Sequence, residues 1–119
     1  EGVLVGILID QNPRENAVPV RFFGQETWAT TGPAMIALRA RCPLLAGTSM
    51  RDADGEYTVR ISAPIPVASS GDLREDVQQL TQACQDVIEA QIRENPGQWL
   101  FMSLANDLFY CRLFLNTPV

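Results

Sequence analysis

The polar residues that follow the first apolar run of the chain are its clearest candidates for chemistry. The run Val3–Ile9 is continuous and rich in β-branched residues, and Asp10, Gln11 and Asn12 follow it directly. A continuous apolar run is typical of a strand buried on both faces, as in the parallel sheets of α/β proteins. Ligands bind at the carboxyl ends of such strands. Asp10 is therefore either a catalytic or ligand-orienting carboxylate or a loop cap, and Gln11 and Asn12 either donate hydrogen bonds to a ligand or satisfy the turn.

The basic residues of the chain are all arginines, because the sequence contains neither histidine nor lysine. This composition excludes from the chain a Ser-His-Asp or Cys-His mechanism, a histidine-based zinc site, a Schiff-base lysine and a P-loop lysine. A general base would have to be Asp or Glu, and no pattern marks one as perturbed. The sequence thus predicts no catalytic residue, no metal site and no cofactor.

The charge balance also limits the partners. With 14 acidic residues against 9 basic ones, the net charge is −5, which argues against nucleic-acid binding, since that needs a dense basic face. Several arginines nevertheless fall in one stretch of the chain. They either bind a phosphate or carboxylate through the planar guanidinium or form surface ion pairs with Glu15 and Glu26. The arginines concerned are Arg14, Arg21, Arg39 and Arg41.

Two helices are predicted around these residues. The first begins at Thr31-Gly32 with Pro33 in its first turn, where a missing N–H is harmless, and ends at Cys42-Pro43. The second begins at Asp72, which with Glu75 forms an acidic variant of a capping box. Its apolar residues recur at helical spacing and are expected to pack on a sheet. They are Leu73, Val77, Leu80, Cys84, Val87, Ile88 and Ile92.

The remaining elements are short strands. Val18–Gly24 is predicted as an extended edge segment, since Pro19 cannot donate to a ladder. Leu44–Met50 is predicted as a strand, with a turn at 51–56 and Tyr57–Ile61 as its antiparallel return. Phe22, Phe23 and Trp28 are either core or the wall of an apolar pocket. The separated cysteines Cys42, Cys84 and Cys111 are expected to be buried thiols in a reducing compartment.

Several segments together resemble one family. The blocks at 2–11 (GVLVGILIDQ), 20–24 (VRFFG) and 31–37 (TGPAMIA), the DADGEY hairpin at 52–57, and 88–99, which ends in NPGQW, are similar in order and spacing to the late acyltransferases of lipid A biosynthesis. These are the lauroyl/myristoyl type. Gly97 replaces the family's usual Glu. The resemblance covers roughly residues 2–102, and it is the combination of short motifs that makes it specific.

The resemblance implies an enzyme that moves a fatty acyl chain from an acyl carrier protein thioester to a hydroxyl of a lipid A precursor or a related glycolipid. It implies work at the cytoplasmic face of the bacterial inner membrane, on the membrane surface. It also implies an α/β fold with a partial mixed β-sheet flanked by helices, part of a glycerolipid-acyltransferase-like domain. The family's base is a His paired with an acidic residue five positions on. Because this chain has no His, we expect a C-terminal portion that is inactive alone.

The resemblance assigns binding residues and no catalytic ones. Asp10 and Gln11 would border the cleft at the end of the first strand. Phe22, Phe23 and Gly24 would shape the apolar wall near the acyl chain, and Arg21 would line the cleft. Thr31 would begin the following helix at the same edge.

Residues 103–119 depart from the family, which usually continues with a basic W-x-H-x-R-W-K motif. We therefore divide the chain into an acyltransferase portion, 1–102, and a divergent apolar tail, 103–119. One hypothesis for the tail is a reading-frame shift, which the nucleotide sequence would decide. Two other functions stay open: a non-catalytic lipid- or partner-binding module whose apolar segment Trp99–Leu115 touches a membrane, and a plain structural domain. An in-frame His-x-x-x-x-Glu/Asp encoded before Glu1 would favour the enzyme over both.

Overall fold

The computed structural model describes residues 2–9, 13, 15–96 and 112–118, the last as a strand known by its backbone pairing. The predicted α/β class is confirmed, and both predicted helices are present. In chain order the elements are β1 (Gly2–Leu8), β2 (Ala17–Phe22), β3 (Gln25–Thr30), α1 (Gly32–Ala40), β4 (Leu44–Arg51), β5 (Tyr57–Ile61), α2 (Leu73–Glu94) and β6 (Arg112–Pro118).

The strands form a four-stranded sheet in the order β1-β6-β4-β5 and a separate β2–β3 hairpin. Every pairing among the described strands is antiparallel, so the predicted mixed sheet is an antiparallel one in this part of the chain. β6 lies between β1 and β4, and Leu115 lies opposite both Val5 and Leu44. The last described strand thereby joins the first strand to the middle of the sheet.

The expectation that the first strand is buried on both faces is wrong. Val3 and Leu4 are 53% and 62% exposed, while Val5 and Ile7 pack against the core. β1 is an edge strand, and an antiparallel sheet is able to leave one face to water. A continuous apolar run does not distinguish this arrangement from a parallel strand between helices.

The predicted hairpin of β4 and β5 is confirmed. The carboxylate of Asp52 accepts hydrogen bonds from the amides of Asp54 and Glu56, at 3.0 and 2.9 Å. Arg60 of β5 forms an ion pair with Glu94 of α2, so this side of β5 faces the helix. The alternate residues of β5 therefore face away from it.

An apolar row results on the sheet face turned away from α2. Tyr57, Val59 and Ile61 are 69%, 56% and 55% exposed. Leu4 of β1 belongs to the same face, since its neighbours Val5 and Ile7 point into the core and successive side chains of a strand alternate. We call Leu4, Tyr57, Val59 and Ile61 the outer face.

Helix α2 begins as predicted at Asp72, whose side chain accepts from the amides of Arg74 and Glu75, at 2.9 and 3.3 Å. The reciprocal half of the predicted capping box is absent among the described residues. Glu75 instead accepts from Gln79 Nε2, at 2.9 Å. The amide of Asp72, which a capping box would use, donates to Ser70 Oγ.

The core lies between α2, α1 and one face of the large sheet. The apolar stripe of α2 is confirmed, except that Leu73 is 47% exposed. Cys42 and Cys84 are buried and not disulfide-bonded, as expected, and Cys111 lies outside the described residues. Across the described ranges, no helix combines the length and apolar character that a membrane crossing needs. The buried apolar residues include Ala34, Ala37, Leu44, Ala46, Ile65, Val77, Leu80 and Ile88.

Candidate functional site

The β2–β3 hairpin carries most of the predicted site residues that the structure describes, and side chains of α2 hold it in place. Gln82 Oε1 accepts from the amide of Arg21 and Gln82 Nε2 donates to its carbonyl, both at 2.8 Å. Gln78 Nε2 donates to the carbonyl of Pro19. These amide side chains satisfy backbone groups on the edge of β2 that β3 does not pair, as a further strand would. The helix therefore fixes the position of the hairpin along its own axis.

The hairpin turns at Phe23–Gly24, because Phe22 and Gln25 are the last paired residues. Phe23 and Gly24 have φ angles of +50° and +75°. Positive φ at both central residues is the pattern of a type I′ turn. Glycine adopts this conformation without penalty, whereas a phenylalanine there is strained. The strain at Phe23 needs support from its surroundings.

That support comes from the last turns of α2. The amide of Phe23 donates to Glu89 Oε2, at 2.8 Å. Arg93 donates from Nε and Nη2 to Glu89 Oε1, at 2.8 and 2.7 Å. The guanidinium carbon of Arg93 lies 4.8 Å from the centroid of the Phe23 ring, which is within cation–π range. One carboxylate and one guanidinium thus hold both the backbone and the ring of Phe23.

The same contacts set the charge of Glu89. The hydrogen bond from the Phe23 amide, and then the bond from Arg93, lower the pKa of the Glu89 carboxyl below its usual value. Glu89 is therefore ionised at neutral pH and already occupied by donors. A carboxylate in this state positions a neighbour and does not act as a general base.

The aromatic residues of the hairpin separate into different environments. Phe22 is 6% exposed and belongs to the core, and its ring meets that of Phe23 edge-on with centroids 4.7 Å apart. Phe23 is half-buried at the rim of the core. Trp28 is 56% exposed, so it is neither core nor the wall of an enclosed pocket.

The structure does not bring all the predicted site residues together. Thr31 follows the open end of the hairpin, where its hydroxyl and amide both donate to the carbonyl of Asn16, at 2.9 Å. Since β3 has six residues and Thr31 follows its last one, Thr31 lies roughly 20 Å along the hairpin from the Phe23–Gly24 turn. Asp10 and Gln11 lie outside the described residues. Arg21, Phe22, Phe23 and Gly24 thus form one cluster, and Thr31 belongs to the other end.

The hydroxyl of Thr31 also departs from the role expected at a helix start. It makes no capping bond to α1, and the backbone of Thr31 has φ −86° and ψ −6°, not the extended conformation that is typical of a capping residue. The helix does begin here with Pro33 in its first turn, as predicted. Thr31 therefore ties the loop before β2 to the start of α1.

Within the described part of the chain, this arrangement brings together no nucleophile and base. Among the described residues, no group of three or more side chains is placed to hold a metal ion. The chain has no histidine, and the carboxylate at the cluster, Glu89, is committed to Phe23 and Arg93. The cluster presents a rigid aromatic rim on a strained turn.

Comparison with known families shows which family the chain belongs to. Residues 1–104 match the model of the bacterial lipid A biosynthesis acyltransferases. The chain belongs to this family. The match indicates an acyltransferase-type function in lipid A biosynthesis, with an acyl donor and a lipid acceptor as the general substrates. No curated protein matches the chain.

The residues that hold the Phe23–Gly24 turn in place are not among the candidates that the sequence suggests. They are Gln82, Glu89 and Arg93, of which Glu89 and Arg93 lie in a motif that carries the resemblance. A signal was available: with Gln78 they are spaced by 4, 7 and 4 residues, which places all of them on one side of a helix. A stripe of polar side chains beside the apolar stripe of a helix is typical of a helix that packs beside a strand edge, where the side chains bind unpaired backbone groups.

Proposed function

We propose that this chain is the part of a lipid A acyltransferase that shapes the acyl-binding wall, and that it depends on a base outside the chain. The donor is an acyl carrier protein thioester and the acceptor is a hydroxyl of a lipid A precursor or a related glycolipid. The observation that supports this most is the Phe23–Gly24 turn. Within one of the motifs that together carry the resemblance, a strained aromatic residue is held by Glu89 and Arg93.

The chemistry of the transfer explains why a second part is needed. A hydroxyl attacks a thioester only as its proton is removed; the new C–O bond forms, the C–S bond breaks, and the thiolate leaves. In the family a His removes the proton, and an acidic residue five positions on orients it. This chain contains no His, and its described carboxylate near the turn is already paired. We therefore propose that the chain alone is inactive.

The site residues keep the roles that the resemblance gave them, now as proposals. Phe22, Phe23 and Gly24 form the wall for the acyl chain, and Arg21 is held through its backbone. We also propose that Asp10 and Gln11 border the cleft that follows the first apolar run and that Thr31, at the start of the next helix, lies at the same edge. We also keep the division into an acyltransferase portion, 1–102, and a divergent tail, 103–119.

Photolabelling tests the wall and the inactivity in one experiment. An acyl carrier protein carrying a photoreactive acyl chain is incubated with the chain and a lipid A precursor. We expect crosslinks at residues 22–24 after illumination, and an intact thioester with no acylated product before it. Acyl transfer by the chain alone would contradict the missing base.

Substitutions in the hairpin sharpen this test. Phe23→Asn keeps the backbone conformation, since Asn tolerates positive φ, and removes the apolar ring; we expect it to reduce the crosslinks several-fold. Trp28→Thr is the matched control, because Trp28 is an exposed aromatic residue of the same hairpin. Equal loss in both variants would remove the special role of Phe23.

We propose the membrane surface as a partner of the full enzyme, at the cytoplasmic face of the inner membrane. The outer face supports this, because an exposed apolar row marks an interaction surface. Val59→Ser with Ile61→Ser should weaken sedimentation with vesicles of bacterial phospholipid. Unchanged sedimentation would mean that this face does not contact lipid.

The outer face also favours a second candidate, a non-catalytic lipid- or partner-binding module. The two functions differ in what the hairpin does. A module would bind vesicles through the outer face and show no crosslinks from the acyl carrier protein at residues 22–24. The acyltransferase part would show those crosslinks whether or not vesicles are present.

A further inference from the structure

A concave surface lies between the end of α1 and the connector that precedes α2, away from the Phe23–Gly24 turn. Its volume is about 700 Å³, within the usual size range of small-molecule sites. Most of its lining is apolar, and one residue of the lining is charged. The lining residues are Leu38, Arg41, Cys42, Pro43, Pro64, Ile65, Pro66, Val67 and Ser69.

The connector wall of this cavity is fixed at both ends. The amide of Ile65 donates to the carbonyl of Leu44, at 2.8 Å, and the amide of Ser70 donates to Asp76 Oδ1, also at 2.8 Å. Pro64 and Pro66, which flank Ile65, have restricted φ and no N–H to donate. The cavity is therefore preformed, and the proline part of its wall presents carbon surface to a ligand.

Arg41 is the charged residue of the lining, and its backbone is unusual. It ends α1 with φ 51° and ψ 42°, in the left-handed region. Glycine is the usual residue at this position, and a side chain there costs free energy. Complementing the helix dipole does not require Arg41, since Arg39 already lies in the last turn. Arg41 is exposed, and within residues 15–96 no ion pair to it is found.

The cavity is separate from the acyl wall. Ser70 at its edge is bound to Asp76 in the first turns of α2, whereas Phe23 is bound to Glu89. Those two α2 residues are about 20 Å apart at 1.5 Å per residue. A ligand in the cavity would therefore occupy a different place from one at the Phe23–Gly24 turn.

We propose that this cavity binds an amphiphile with an alkyl chain and one anionic head group, a carboxylate or a phosphate. The alkyl chain lies against Leu38, Pro64 and Val67, and the head group meets the guanidinium of Arg41. The guanidinium binds either head group through two parallel hydrogen bonds. This inference does not depend on the proposed acyl transfer.

Titration calorimetry on the 119-residue chain tests the chemical class. The probes are laurate, dodecyl phosphate, dodecanol and acetate, each below the concentration at which it forms micelles. We expect one site for laurate and dodecyl phosphate, and binding of dodecanol and acetate that is weaker by about tenfold or more. The better of the two anionic amphiphiles identifies the head group. Equal affinity for dodecanol and laurate, or no binding of either anion, would overturn the proposal.

Substitutions locate the site. Arg41→Gln should weaken laurate binding by about tenfold and leave dodecanol unchanged, whereas Arg39→Gln, the matched control on the same helix, should leave both unchanged. Val67→Trp should fill the cavity and weaken every alkyl probe, and the fold should tolerate it because Val67 is 37% exposed. If Val67→Trp does not fold, the two arginine variants still decide. Equal effects of Arg41→Gln and Arg39→Gln would place the ligand elsewhere.

Discussion

The two ends of α2 hold other parts of the chain by the same chemistry, over very different sequence distances. Near its beginning, Asp76 accepts the amide of Ser70, six residues away. Near its end, Glu89 accepts the amide of Phe23, 66 residues away. Both bonds are 2.8 Å long, and both carboxyl groups have a lowered pKa because a backbone amide donates to them.

The difference lies in what each bond organises. Asp76 orders the connector next to its own helix, so its bond depends only on residues close to it in the sequence. Glu89 requires the β2–β3 hairpin to be docked, and it then supports a strained residue of that hairpin. The local bond of Asp76 fixes the connector that forms one wall of the cavity. The long-range bond of Glu89 fixes the position of the Phe23–Gly24 turn. A carboxylate acts at both ends of the helix. At the first end its bond needs only neighbouring residues, and at the other end it needs the tertiary docking of the hairpin.

Removing the core that both ends share should have the largest effect. Ile88 is 2% exposed, and Ile88→Ala leaves a cavity beside α2. We expect a loss of about 2–5 kcal/mol in the free energy of unfolding, measured by urea denaturation. Leu73→Ala is the control, because Leu73 is 47% exposed on the same helix and should cost much less. Similar losses in the two variants would show that the stripe does not carry the core.

Acidification should break both ends together. A carboxyl with a lowered pKa in the folded state stabilises the fold above its ordinary value and loses that contribution as the pH falls through the lowered value. The ordinary values are 3.8 for Asp76 and 4.5 for Glu89. We therefore expect the free energy of unfolding to fall below about pH 4.5. Asp76→Asn with Glu89→Gln should flatten this dependence, and an unchanged slope would assign it to other groups.

Removing one carboxylate at a time should separate the two ends. Glu89→Ala should raise the hydrogen-exchange rate of the Phe23 amide several-fold and leave that of Ser70 unchanged. Asp76→Ala should do the reverse. Amide exchange measured by NMR gives both rates in each sample. If Asp76→Ala also exposes the Phe23 amide, the two ends are coupled and the comparison fails.

The smallest effect should come from removing the contact between the Arg93 guanidinium and the Phe23 ring. Arg93→Gln removes the charge that faces Phe23, at a cost of about 0.5–1 kcal/mol for an exposed contact. Arg74→Gln, an exposed arginine at the other end of α2, is the control. Thermal unfolding of the two variants at matched pH measures the difference. A larger loss for Arg74→Gln would mean that the ring contact adds nothing.

The sequence predicted local structure well and tertiary placement less well. The helix start at Asp72, the apolar stripe that follows it and the turn at 51–56 depend on neighbouring residues, and all are confirmed. The strand β3 was missed, because its residues are mostly exposed and polar. β1 was assigned two buried faces, because an apolar run does not reveal which side its neighbours cover.

The candidate site shows the same limit. The FFG motif indicates the β2–β3 hairpin as the candidate site, and the family match confirms the predicted family. Nothing local to that motif indicated that Phe23 has a positive φ or that Glu89 lies against it. Those facts depend on how α2 and the hairpin dock, and docking is decided by contacts between residues far apart in the chain.

The position of β6 has a consequence for how the sheet is assembled. Gly2 lies opposite Pro118, so β1 pairs with β6 only after the residues between the two strands have been synthesised. Until then the backbone groups of β1 have no partner in β6. β4 and β5 are close in the sequence and are therefore able to pair earlier. Among the described strands, we therefore expect β1 to be the one most exposed to aggregation during translation.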